Sequence, residues 1–161
     1  NTTALGRGRL EGNGLVGFTD IFVADAWRPA NQHFGARIAF GRDGMLWIPA
    51  FGDGTLVRLD PATMKYDAFP LPALSPEDVE MPYAVAVEPR SGDVWVTSNT
   101  SDRAFRFLVK ERRFVVYPMP SRFTYTRDVS FTKDGWACSV ESNFPVNTTE
   151  HGDKLLCIDP G

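Results

Sequence analysis

Apolar residues come in short runs along this chain, each bounded by glycine, proline, aspartate or serine, and no stretch shows the 3.6-residue spacing of an amphipathic helix. Such runs predict short β-strands, so the chain is predicted to be all-β. First strands are predicted at 36–40, 84–87 and 128–131, and second strands at 45–50, 93–98 and 136–141. Third strands are predicted at 55–59, 104–108 and 154–158, and fourth strands at 65–69 and 113–117.

The strand pattern repeats. The glycines that precede the second strands are Gly44, Gly92 and Gly135, which are 48 and 43 residues apart. Periods in the forties with four short strands per unit are typical of β-propeller blades. The sequence therefore predicts part of a β-propeller, with about three four-stranded blades.

The predicted boundaries place one blade at 34–72, a second at 82–120 and an incomplete third at 125–161, all in one domain. Residues 1–33 contain five glycines and are predicted to be a loop-rich segment, or the outer strands of a preceding blade. Propellers close with roughly four to eight blades. We therefore expect a segment of a larger propeller, whose open strand edges pair with the remaining blades or lead to self-association.

Composition narrows the classes of partner. The formal net charge of −3 argues against nucleic acid as the main partner. No apolar run approaches the 18 residues that a membrane-spanning helix needs, and we expect no signal peptide within this chain. The expected partner is a small-molecule ligand or the rest of the propeller.

The repeats resemble a known family. The first blade contains Asp43-Gly44-Met45-Leu46-Trp47-Ile48, then Leu56-Val57-Arg58-Leu59-Asp60-Pro61 and Phe69-Pro70-Leu71-Pro72. This phrase resembles the repeats of the virginiamycin B lyase (streptogramin lyase) family over residues 34–160, and more distantly those of NHL propellers. The resemblance implies a seven-bladed propeller, elimination at an ester bond, magnesium, and catalytic histidines at the start of blades.

The histidines that the family uses are not kept in this chain. The equivalent places hold Ala36, Tyr83 and Arg127. The only histidines, His33 and His151, fall in predicted loops, and no residue spacing matches a metal-ligand pattern. Catalytic residues and a cofactor are therefore not evident, with magnesium expected only if the lyase interpretation holds.

Four polar residues are expected around the central channel, at the inner ends of first and second strands: Arg37, Tyr83, Arg127 and Glu141. Arginine can bind a carboxylate or phosphate through two parallel hydrogen bonds, and tyrosine adds a flat face with a hydroxyl. They are candidates for binding a small anionic or polar ligand. The alternative is structural, with Arg127 paired to Asp128 or Glu141.

The two cysteines occupy matching positions in the third repeat. Cys138 stands where the other repeats have Trp47 and Trp95, and Cys157 stands where they have Arg58 and Arg106. The positions are predicted to lie opposite each other on adjacent strands, within reach of a disulfide. The alternative is two buried thiols.

Three functions remain open from the sequence. The first is a propeller segment that binds a ligand or protein partner through its channel face, in the periplasm or outside the cell. The second is a lyase whose histidines lie in blades outside this chain. The third is a structural module of a larger periplasmic protein.

Overall fold

The computed structural model describes residues 4–23, 37–122, 124–141 and 154–161. The chain forms two compact units, Asn1–Gly35 and Ala36–Gly161. Within the described ranges every regular element is a β-strand apart from one short 3-10 turn, which confirms the all-β prediction. Among the same residues there is no helix long and apolar enough to cross a membrane.

The first unit contains an antiparallel hairpin, in the region where the sequence predicted a loop-rich segment or the outer strands of a preceding blade. Strand β1 is Ala4–Glu11 and strand β2 is Gly14–Val23. The glycines serve the hairpin: Gly12 makes the turn at φ 58°, and Gly17, at φ 59°, lies where the pairing register shifts. Several large apolar side chains stay exposed, including Leu10 and Phe18.

The second unit contains the predicted blades. The first blade is a four-stranded antiparallel sheet, with β3 (Ala39–Phe40), β4 (Leu46–Ala50), β5 (Thr55–Leu59) and β6 (Tyr66–Pro70) in that order. The second blade follows the same order, with β7 (Pro82–Val87), β8 (Val94–Ser98), β9 (Arg103–Leu108) and β10 (Arg113–Pro118). The third is three-stranded, with β11 (Ser130–Phe131), β12 (Ala137–Val140) and β13 (Leu155–Ile158).

The predicted turn glycines have the backbone that tight turns require. Gly44 and Gly92 both have φ 79°, and Gly135 has φ 95°. Only glycine adopts these values without strain, which explains why it returns at the same place in each repeat. The first strands of the first and third blades are shorter than predicted, with two paired residues each.

The main core lies between the first two blades. Trp47 of the first blade packs into the face that Val94, Val96, Phe105 and Phe107 form on the second. Its ring lies 5.5 Å from that of Phe107. Because side chains alternate along a strand, the opposite face of β8 carries Trp95 and Thr97, which line a hollow with Ala137 and Ser139 of the third blade. Trp47 and Trp95 are each 1% exposed, so both belong to the core.

The strand order decides which residues meet at one end of the second unit. Neighbouring strands in each sheet are antiparallel, so the starts of β3, β7 and β11 lie at the same end as the finishes of β4, β8 and β12. We call this end the channel end. It gathers all four of the predicted ligand-binding positions.

Candidate functional site

An ion pair at the channel end connects the first and third blades. Arg37, two residues before β3, donates to the carboxylate of Asp128, two residues before β11. The two residues are 91 positions apart in the sequence, and their side chains are about half exposed. An exposed pair of this kind contributes little to stability.

Arg127 lies against two tyrosines. Its Nη1 donates to the hydroxyl of Tyr83 over 3.0 Å. Its guanidinium lies 5.5 Å from the Tyr83 ring centroid and 4.4 Å from that of Tyr125, within the range of cation–π attraction. The two rings are 6.0 Å apart, and the Phe51 ring contacts Tyr83 edge-on at 6.3 Å. We call Arg127, Tyr83 and Tyr125 the Arg–Tyr cluster.

Sequence reasoning overlooked Tyr125. The residue precedes the third blade by five positions and has a positive φ of 37°, which is uncommon for a side chain of its size. Its position two residues before Arg127 is the signal that could have shown it, since a residue so near in the sequence can reach the same guanidinium. Such strained backbone positions often occur at functional sites.

Glu141 belongs to the same end of the unit but faces the second blade. It forms an isolated bridge with Thr126, and its backbone N–H donates to the Lys154 carbonyl over 2.9 Å. Its side chain is buried, and the Oε1 atom has no hydrogen-bond partner. The structure therefore brings Tyr83 and Arg127 into contact and ties Arg37 to Asp128. Glu141 lies opposite Thr126, the residue that precedes Arg127.

A second polar group, at the connection between the first two blades, is fully partnered. Glu80 receives hydrogen bonds from Ser98 Oγ over 2.6 Å and from Ser101 Oγ over 2.8 Å, and it pairs with Arg103. Arg103 also donates to the Pro72 carbonyl over 2.9 Å. Because both charges are buried and satisfied, we interpret this group as structural support for the channel end.

Matching cross-strand positions carry different chemistry in the three blades. Trp47 lies opposite Arg58 and Trp95 opposite Arg106, whereas Cys138 lies directly opposite Cys157 and is joined to it by a disulfide.

Burial favours the neutral form of Arg106, but hydrogen bonds with Tyr117 and Asp93 outweigh it and raise the pKa of its guanidinium.

The family resemblance implies a magnesium ion. In the described part of the chain, no three His, Cys, Asp or Glu side chains come together as metal ligands would. Within the described ranges, no set of residues therefore fits the ion that the family resemblance implies. Ala36, His33 and His151 lie outside the described residues.

Comparison with known proteins supports the architecture. No protein-family model matches the chain, and no curated protein matches its sequence. Among solved structures, virginiamycin B lyase from Staphylococcus aureus is similar with a TM-score of 0.61 and 12% identity, over 95% of this chain and 48% of the lyase. The fold is that of a β-propeller.

Other similar structures have the same fold with different activities. The PQQ-bound aldose sugar dehydrogenase of Streptomyces coelicolor has a TM-score of 0.59 and 16% identity, over 81% of this chain and 46% of the enzyme. An extracellular domain from B. thetaiotaomicron has a TM-score of 0.58 and 16% identity, over 97% of this chain and 21% of that protein. The chain spans about half the length of the lyase, and at these identities the likeness concerns fold alone.

Proposed function

We propose that this chain is a ligand-binding segment of a β-propeller and that its channel end binds a small carboxylate. The observation that carries the proposal is the Arg–Tyr cluster, in which residues from two blades hold one guanidinium against two aromatic faces. Small-molecule sites are typically formed by an apolar or aromatic wall with a few converging polar groups.

The chemistry of the cluster suits an anion with an apolar body. The guanidinium of Arg127 offers parallel N–H donors that match the two oxygens of a carboxylate. The hydrogen bond to Tyr83 and the two ring faces orient that donor fork, so less side-chain entropy is lost on binding. The tyrosine rings then provide a flat surface for the apolar part of the ligand.

Arg37 supplies a second cation at the same end. Its partner Asp128 directly follows Arg127 in the chain, so the ion pair lies beside the Arg–Tyr cluster. Because the pair is about half exposed, a ligand carboxylate can replace Asp128 at little cost. Arg37 and Arg127 can therefore both donate to an anion at an end that also holds the carboxylates of Asp128 and Glu141.

The proposal concerns binding and not lyase catalysis. Tyr83 and Arg127 occupy two of the positions where the family resemblance implies histidine, and neither is a general base near neutral pH. We also propose a location outside the cytoplasm. The Cys138–Cys157 disulfide supports it, since disulfides persist mainly in oxidising compartments.

A pair of matched probes tests the binding proposal. Cyclohexanecarboxylate carries the charge and an apolar ring, and cyclohexanemethanol keeps the ring without the charge. We expect calorimetry to detect the carboxylate and not the alcohol. Arg127→Gln is expected to weaken carboxylate binding about tenfold or more, because a charge-assisted hydrogen bond is lost.

Two further variants make the result interpretable. Tyr83→Phe removes only the hydroxyl that orients Arg127, so a smaller loss is expected with the fold retained. Arg9→Gln, in the separate N-terminal unit, removes the same charge and should leave binding unchanged. Equal binding of the carboxylate by the native protein and the Arg127→Gln variant would contradict the proposal.

A further inference from the structure

Buried polar atoms without partners concentrate at one place in the described part of the chain. Five residues of the described ranges have a shielded side-chain nitrogen or oxygen with no hydrogen bond, and four of them lie at this place. One is Arg58, and the other four are Asn99, Thr126, Ser139 and Glu141. Because buried polar groups in proteins are nearly always hydrogen-bonded, four such residues in neighbouring elements require an explanation.

Three of the four share one face of the third blade. Thr126 and Glu141 are bridge partners, and cross-strand partners point to the same side of a sheet. Ser139 precedes Glu141 by two residues on β12 and therefore points to that side as well. Ser139 lines the hollow that this face forms with Trp95 and Thr97 of the second blade.

Asn99 approaches the same interface from the second blade. It follows Trp95 and Thr97 at the two-residue spacing of a strand, just after β8 ends. Both polar atoms of its amide are shielded from solvent and unpaired. We call Asn99, Thr126, Ser139 and Glu141 the polar interface.

The repeat provides an internal comparison. At the interface between the first and second blades, Val96 stands in the place of Ser139 and Pro82 in the place of Thr126. The equivalent of Glu141 is Ser98, which donates to Glu80 over 2.6 Å. The same backbone positions are therefore apolar or satisfied in one interface, and polar and unsatisfied in the next. The fold does not require polar groups there.

We propose that the polar interface binds hydroxyl groups of the ligand, so that the channel end takes a hydroxylated carboxylate. This rests on the proposed function, because Arg127 lies at the same channel end and would hold the carboxylate of the same molecule. An alcohol both donates and accepts. It can donate to Glu141 Oε1, accept from the Asn99 amide, and do either with the two side-chain hydroxyls.

A ligand without hydroxyl groups leaves these atoms unpaired, and a site built to bind hydroxyls discriminates against such analogues. The atoms are shielded in the structure, so the ligand has to part the edges of the two blades when it enters. Binding that requires such a rearrangement is slower than simple docking.

Three ring compounds separate the two halves of the proposed site. Quinate carries a carboxylate and four hydroxyls on a cyclohexane ring, cyclohexanecarboxylate carries only the carboxylate, and myo-inositol carries only hydroxyls. We expect quinate to bind at least about tenfold more tightly than cyclohexanecarboxylate, and myo-inositol to bind most weakly.

Ser139→Val is the matched variant, because the equivalent position of the second blade already holds valine. It should weaken quinate binding about five- to tenfold and leave cyclohexanecarboxylate binding unchanged. Glu141→Gln, which keeps the side-chain shape, should also weaken the binding of quinate and leave that of cyclohexanecarboxylate unchanged. Arg127→Gln should weaken both ligands.

The outcomes distinguish the two proposals. If quinate and cyclohexanecarboxylate bind with equal affinity and Arg127→Gln abolishes the binding of both, the proposal that the polar interface binds hydroxyl groups is overturned. The proposal that the channel end binds a carboxylate then still stands. A Ser139→Val variant that resists urea better and binds quinate normally would show that the interface holds only water, and also overturns the inference. If neither carboxylate binds, both proposals fail.

Discussion

Replacing Glu80 tests whether the connection between the first two blades is held by its buried charges. Glu80 is 3% exposed and lies in the segment between β6 and β7. Its carboxylate accepts hydrogen bonds from two serine hydroxyls and forms an ion pair with Arg103, whose side chain is 14% exposed. Glu80→Ala removes the carboxylate and leaves the guanidinium buried with the Pro72 carbonyl and the Ser101 hydroxyl as its acceptors.

The size of the effect follows from that orphaned charge. Removing one partner of a buried ion pair costs about 3–5 kcal/mol, because the desolvated charge that remains has lost its counter-ion. Total stabilities of domains are about 5–15 kcal/mol, so Glu80→Ala should remove a large share. Glu80→Gln keeps the shape and should cost less, about 1–3 kcal/mol, since its neutral amide still forms hydrogen bonds.

Urea unfolding followed by tryptophan fluorescence measures the loss, because Trp47 and Trp95 are both buried in the core. With a urea dependence of about 2 kcal/mol per molar, Glu80→Ala should lower the midpoint by about 1.5–2.5 M. Asp67→Ala is the control. It breaks the half-exposed pair with Arg112, whose atoms are 3.6 Å apart, and should cost less than about 1 kcal/mol.

A double-mutant cycle identifies the cause. Adding Arg103→Met to Glu80→Ala removes the orphaned guanidinium, so the double variant should be no less stable than Glu80→Ala alone. If Glu80→Ala costs no more than Asp67→Ala, or if the two substitutions are simply additive, the buried-charge explanation is refuted.

Two more predictions concern the third blade and the turn after β7. Protein purified from an oxidising compartment should contain no free thiol after denaturation, and reducing the Cys138–Cys157 bond, which spans 19 residues, should cost about 3 kcal/mol; two free thiols would contradict the disulfide. Burial opposes ionisation of Glu88, but the N–H groups of Ser91 and Arg90 donate to its carboxylate and lower its pKa below the ordinary value of 4.5. Its stabilising contribution is therefore present above about pH 4.5 and lost as the pH falls through the lower folded pKa. Glu88→Gln should make the stability of the protein depend less on pH in acid, as followed by circular dichroism. An unchanged pH dependence would refute the assignment.

The repeat made much of the second unit predictable. Glycines at equivalent turns, apolar runs of strand length and the equal Trp-to-Arg spacings of two blades are local signals. They led to strand bounds that mostly agree with the structure to within one residue, such as 55–59 and 113–117. For residues 1–33 the sequence left a loop-rich segment and outer strands both open, because the glycines resemble a loop until the pairing of β1 with β2 is known.

The candidate site was predictable only in part. Arg37, Tyr83, Arg127 and Glu141 could be assigned to the channel end because their places in the repeat are known. Their partners could not, since the contact of Arg37 with Asp128 spans 91 residues and depends on how the blades are arranged around the axis. Tyr125 lies outside every predicted strand and was missed.

The sequence by itself determined the all-β class, the repeat and the cross-strand position of the two cysteines, because these depend on periodicity and spacing along the chain. Only the tertiary structure decided which polar side chains find partners. Glu80 is satisfied by residues 18 to 23 positions away, while Glu141, Ser139 and Thr126 face another blade without a partner. Polar side chains can differ from one repeat to the next while the backbone stays the same. Whether each of them finds a hydrogen-bond partner depends on the distance to the neighbouring blade, which the repeat pattern does not show.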